Sequence, residues 1–90
     1  SDALALMYVS DPTTHRPPSL NLLTSLFDLT RSEALLTREL ASGKNLEEAS
    51  REMGITLSSA RTYLKRAFGK TNTNRQVELV RLILTAVSTV

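Results

Sequence analysis

The stretch "SSARTYLKRAF", residues 58–68, concentrates the side chains best suited to chemistry in this chain: Arg61, Lys65 and Arg66, the hydroxyls of Ser58, Ser59 and Thr62, and no acid. An arginine fork can take guanine O6 and N7 in two hydrogen bonds, and lysine and arginine neutralise phosphate. Serines in the first turn of a helix, beside its free backbone N–H groups, also favour phosphate. The chemistry of such a set is recognition of a polyanion, not the making or breaking of bonds. No Ser-His-Asp arrangement, phosphate loop or paired-carboxylate spacing is present, so an enzyme is not expected. His15 stands in a proline-rich stretch of a chain that has no cysteine, and neither a metal nor a catalytic role is argued for it.

Placed at about 100° per residue, the stretch divides into two faces. Ala60, Tyr63, Leu64, Ala67 and Phe68 gather on one side, while Ser58, Arg61, Thr62, Lys65 and Arg66 gather on the other. Tyr63 is therefore assigned to packing. Arg61 is the best candidate base reader, Thr62 is placed to meet a thymine methyl, and Lys65 and Arg66 are candidate phosphate contacts. Arg61, Thr62 and Lys65 lie within two turns, about 11 Å of helix, which suits a major groove about 12 Å wide. The plainer reading of the same residues is a solvated helix face.

Charge along the chain supports an anionic partner. Net charge is only +2, but residues 1–53 hold five basic and eight acidic residues, whereas residues 54–75 hold Arg61, Lys65, Arg66, Lys70 and Arg75 and no acid. A basic block of this kind is the footprint of an electrostatic surface, and Lys70 and Arg75 join the expected phosphate contacts. Ninety residues at 41% hydrophobic content suffice for one small domain. Without cysteine there is no disulfide scaffold and no Cys-ligated metal site. No apolar run approaches the roughly 20 residues of a membrane span. The chain opens on Ser1 without a basic n-region, so a signal peptide is not expected and an excised domain is.

The positioning elements follow from caps and periodicity. Residues 3–9, "ALALMYV", read as a strand or docked extended segment, and residues 10–19 as a linker holding all three prolines. A short helix follows Ser19, with Leu20, Leu23, Leu26 and Phe27 at helical spacing. "TRSE", Thr30–Glu33, fits a capping box, and Leu35, Leu36, Leu40 and Ala41 line that helix up to Gly43. Asn45 with Glu48 starts another, closed by Gly54. Thr56 caps a helix expected from Leu57 to about Gly69. Thr73 or Asn74 is expected to cap the last one, to about Ser88. Residues 45–69 form two helices around a short turn, a helix-turn-helix.

With "LT" and Glu33 opening a helix, Gly43, Glu48, "MGI" at 53–55, Leu64, Lys70 and "VELV" at 77–80, the chain resembles the LuxR-type (LuxR/FixJ) helix-turn-helix domain of bacterial transcription regulators over residues 28–85. The resemblance implies an all-α, four-helix domain whose third helix enters the major groove, with base contacts falling on Arg61, Thr62 and Lys65. It also implies dimerisation through the last helix. Val77, Leu79, Val80, Leu82, Ile83, Leu84, Ala86 and Val87 cover most of that helix, more than one core contact needs, and Val80, Ile83, Leu84 and Val87 are the expected dimer face. The alternative cover is the leading segment. Three positions depart from the family: Leu46 and Glu47 stand where many members have Asn-Lys, and Asn72 where Gly is common.

These readings together give residues 1–18 as the end of an upstream domain and a linker, 19–27 as a short helix, and 28–90 as the DNA-binding domain. The expected protein is a cytoplasmic bacterial transcription regulator that binds double-stranded DNA as a homodimer, without a cofactor, and with RNA polymerase a further candidate partner. A protein-interaction module that has lost DNA binding, motivated by Leu46, Glu47 and Glu52, and a sigma-factor-like promoter reader are the alternatives.

Overall fold

A computed structural model describes residues 19–88, with side chains to Ala86; the expected strand-like segment at residues 3–9 and the linker to residue 18 lie outside it. Among the described residues the chain is all-α. Five helices follow one another: α1 Leu20–Phe27, α2 Arg31–Ala41, α3 Leu46–Met53, α4 Leu57–Thr71 and α5 Gln76–Ser88.

Local signals account for most boundaries. Ser19 accepts from the Leu22 N–H at 3.0 Å and starts α1. Thr30 and Glu33 form the reciprocal capping box of α2, and Asn45 and Glu48 form that of α3. Thr56 accepts from the Ser59 N–H and caps α4. Helix ends use the left-handed region: Gly43 at φ 103°, Gly54 at φ 69°, and also Asp28 and Asn72 near 57–58°. After Gly54, the Ile55 N–H donates to the Ser50 carbonyl and the Gly54 N–H to the Arg51 carbonyl, which satisfies the orphan groups of the last turn.

Two boundaries differ from the sequence reading. Helix α4 continues through Lys70 and Thr71, because the Thr71 hydroxyl bonds the Ala67 carbonyl at 2.8 Å and Asn72, not Gly69, adopts the left-handed turn. Neither Thr73 nor Asn74 caps α5. The Thr73 hydroxyl lies 2.9 Å from that of Thr71, and the Asn74 N–H donates to Glu78. The Arg75 carbonyl takes the first helical bond, from the Leu79 N–H at 3.0 Å.

Helix α2 is the hub, packing against each of the other four. On one side Leu23, Leu29, Ala34, Ala67, Leu79 and Ile83 form a buried cluster. On the other, Leu36, Leu40, Ala49 and Ala60 form a second, with Met53, Ile55 and Tyr63 against it. Leu64 of α4 packs on both. Each fully buried Leu or Ile contributes about 1.5–3 kcal/mol relative to exposure. The alanines at 49, 60 and 67 let helices approach closely, so α4 is held along its length and cannot roll. The buried Thr37 hydroxyl is satisfied by the Glu33 carbonyl at 2.8 Å.

Candidate nucleic-acid interface

Helix α4 buries the face that the sequence assigns to packing. Ala60 and Ala67 are buried, and Tyr63, Leu64 and Phe68 are half-buried. Opposite them Ser58, Arg61, Thr62, Lys65 and Arg66 are all exposed. These five are brought together on one surface by the i, i+3 and i, i+4 spacing. Ser59 is half-buried beside the cap, where the Thr56 hydroxyl donates to its Oγ at 3.1 Å. Arg75 is exposed in the turn just ahead of α5, off helix α4.

Pairing separates the cations. Lys44 is tied to Glu39 at 2.6 Å, Arg51 lies 3.7 Å from Glu47, and Lys70 is tied to Glu33 at 2.7 Å. The side chains of Arg61, Lys65, Arg66 and Arg75 make no hydrogen bond or ion pair with the described residues. Their charge is thus uncompensated on the solvent side of α4 and the turn after it. Such a surface attracts phosphate and spends no affinity on breaking internal bonds.

Lys70 is held differently from the other assigned phosphate contacts. Its amine bonds Glu33 Oε1, the same oxygen that accepts from the Thr30 N–H at 2.9 Å. Glu33 is 1% exposed. Burial pushes its carboxyl up, but the Lys70 and Thr30 hydrogen bonds and the lysine charge outweigh it and hold the group below its ordinary value of 4.5. The pair fastens the start of α2 to the end of α4. Sequence reasoning missed this bond because 37 residues separate the partners.

Helix α3, the first of the pair, presents Glu47, Glu48 and Glu52 to solvent, with Arg51 beside them. Glu47 and Glu48 lie in its first turn, where negative charge suits the helix dipole, and Glu48 also bonds the Asn45 N–H at 2.9 Å. Leu46 packs on the second cluster. Leu46 and Glu47 therefore serve the helix itself and leave α3 without a cation at its N-terminal end.

The expected dimer face of α5 is divided by the fold. Ile83 is fully buried in the first cluster and offers no surface to a partner, a correction to the sequence assignment. Leu20, Leu23 and Phe27 of α1 pack into that same cluster, so the leading helix takes part of the apolar girdle. Val80 is half-buried and packs on the second cluster. Leu84 is 46% exposed and Val77, which was not assigned, is 65% exposed. Together with Leu40, Lys44 and Arg81 they line an open groove of ≈ 450 Å³. The Val87 side chain lies outside the described residues.

No family model, curated protein or solved structure matches the chain. The site therefore rests on its own geometry. Among the described residues no group of three or more His, Cys, Asp or Glu side chains is placed to hold a metal ion. No helix among them is long and apolar enough to cross a membrane.

Proposed function

We propose that the chain is the sequence-specific DNA-binding domain of a bacterial transcription regulator, of the LuxR type, with α4 as the helix that enters the major groove. Helix α4 is the third helix of that four-helix arrangement, α1 being an addition before it. One observation carries the reading: α4 is fixed by burial along one face while its other face presents Arg61, Lys65 and Arg66 without internal partners. Arg61 reads a base edge, Lys65 reads a base or holds a phosphate, and Arg66, Arg75 and the Ser58–Ser59 turn hold phosphates. Lys70 supports the fold through Glu33. The domain works in the cytoplasm as a homodimer through Val77, Val80 and Leu84 on α5, with RNA polymerase a further candidate partner. No catalytic step and no cofactor enters this reading.

The experiment is selection of a duplex from a randomised pool by the whole chain, followed by affinity measurement over a range of salt. Arg61, Lys65, Arg66 and Arg75, the four unpaired cations of this surface, give a dimer up to about eight phosphate contacts, hence a log–log salt slope no steeper than about −7 if they alone engage. Retention of no duplex, or binding indifferent to salt, would remove the proposal.

The exposed acids of α3 favour a second reading, a helix-turn-helix that serves as a protein-interaction module. In that case the selection returns no sequence, and the acidic face of α3 binds a basic partner. A sigma-factor-like promoter reader shares the DNA chemistry and would retain promoter DNA only together with RNA polymerase.

A further inference from the structure

We infer that Thr62 reads a thymine through its methyl group, its hydroxyl hydrogen being committed to the helix. This deepens the proposed DNA reading and rests on it. A threonine offers a base edge two things, a hydroxyl and a methyl. Here Thr62 Oγ1 donates to the Ser58 carbonyl one turn earlier, at 3.2 Å. In a helix a β-branched side chain has few χ1 rotamers, and the bond to the i−4 carbonyl selects one of them. Fixing one branch fixes the other, so the methyl is held in place as well.

The same habit recurs in this fold. The Thr37 hydroxyl bonds the Glu33 carbonyl and the Thr71 hydroxyl the Ala67 carbonyl, each at 2.8 Å. Those two side chains are buried or half-buried, whereas Thr62 makes its bond on the exposed face, between Arg61 and Lys65. The hydroxyl hydrogen is thereby withdrawn from the acceptors of guanine, adenine and thymine; the oxygen can then only accept, from an amino group of adenine or cytosine, and the methyl is the group left to contact thymine. On a major-groove edge the apolar feature is the C5-methyl of thymine, which cytosine lacks. Arg61 and Lys65 bring donors to neighbouring acceptors, so the three side chains address different base features within two turns.

The test uses the whole chain and the duplex it selects from a randomised pool, with affinity read by fluorescence anisotropy. Thr62→Val keeps the methyl and removes the hydroxyl; Thr62→Ser does the reverse. Each thymine of the selected site is replaced in turn by uracil, which removes only the C5-methyl. The expectation is that Thr62→Val binds within about twofold of the parent and Thr62→Ser loses about fourfold per half-site, the value of burying one methyl-sized group. Uracil at one position should cost the parent and Thr62→Val that same factor and cost Thr62→Ser nothing further. Circular dichroism of both variants checks that α4 remains helical. If Thr62→Ser binds as well as the parent while Thr62→Val does not, the hydroxyl is the reader and the inference is overturned. If no uracil position distinguishes the three proteins, the inference also falls while the DNA reading stands. If the pool yields no duplex at all, both fall.

Discussion

At the residue scale, Arg61 and Lys70 are both single cations of α4, yet their surroundings give them opposite tasks. Arg61 is exposed and unpaired, so removing it leaves the fold untouched. Arg61→Ala should cost about 1–3 kcal/mol on the selected duplex and relax preference at one base pair. A panel of single-base variants checks this; an equal loss on every sequence would make Arg61 a phosphate contact instead. Lys70 is 34% exposed and neutralises a glutamate that is 1% exposed. Lys70→Met should lower stability by about 1–3 kcal/mol in urea unfolding, because Glu33 keeps the Thr30 N–H but loses its cation. Its effect on the salt slope should be less than the unit that a free phosphate contact gives. The pH dependence follows from the same bond. Glu33 titrates below 4.5 in the folded chain, so the unfolded chain binds the proton more readily. The stabilisation is complete above 4.5 and is lost as pH falls through the folded value. Unfolding midpoints of the parent should fall in that acid range, and those of Lys70→Met should fall less.

At the scale of elements, the turn between α3 and α4 decides how the exposed basic face of α4 is aimed. Gly54 holds φ 69°, and a Cβ built there would meet nothing within 4 Å. The requirement is therefore one of backbone conformation and not of space. Gly54→Ala should cost about 1–2 kcal/mol, the penalty of an L-residue in the left-handed region. Gly54→Asn should cost less, since asparagine tolerates that region, as Asn72 does at the end of α4. Chemical denaturation of the two variants measures the difference, and equal losses would point to a steric cause. The caps were readable from sequence because their partners lie three residues apart, as at Thr30 with Glu33 and Asn45 with Glu48. The cap of α5 was not, because Thr73 had a competing partner in the Thr71 hydroxyl.

At the scale of the whole molecule, α5 serves two masters. Its inward side meets α2 and shares a cluster with α1, through Leu79 and Ile83. Its other side leaves Val77 and Leu84 at the groove. Two substitutions one residue apart should then behave differently. Ile83→Glu buries a charge in the core and should unfold the domain, seen as loss of helical circular dichroism. Leu84→Glu should leave the fold intact and, on the proposed dimer, yield monomers in sedimentation, with binding to a two-half-site duplex weakened far more than to a half-site. A parent chain that is monomeric on DNA would remove the dimer from the proposal.

Residue order alone determined the all-α class, four of the five helix starts and the two faces of α4. These depend on hydrogen bonds and periodicity within a turn or two, where sequence distance and spatial distance coincide. The ring of apolar residues on α5 was legible as a surplus, but not its partition. Only packing could decide that Ile83 goes inward with Leu23 while Leu84 stays out. The same holds for Lys70. In sequence it is one of five cations in a block without acids, and its neighbours give no sign that its partner is Glu33 at the start of α2. The tertiary fold brings the end of α4 onto that buried carboxylate, because an ionised group out of water needs an opposite charge in contact. That contact withdraws one cation from the basic block and leaves the others exposed on α4 and in the turn just ahead of α5.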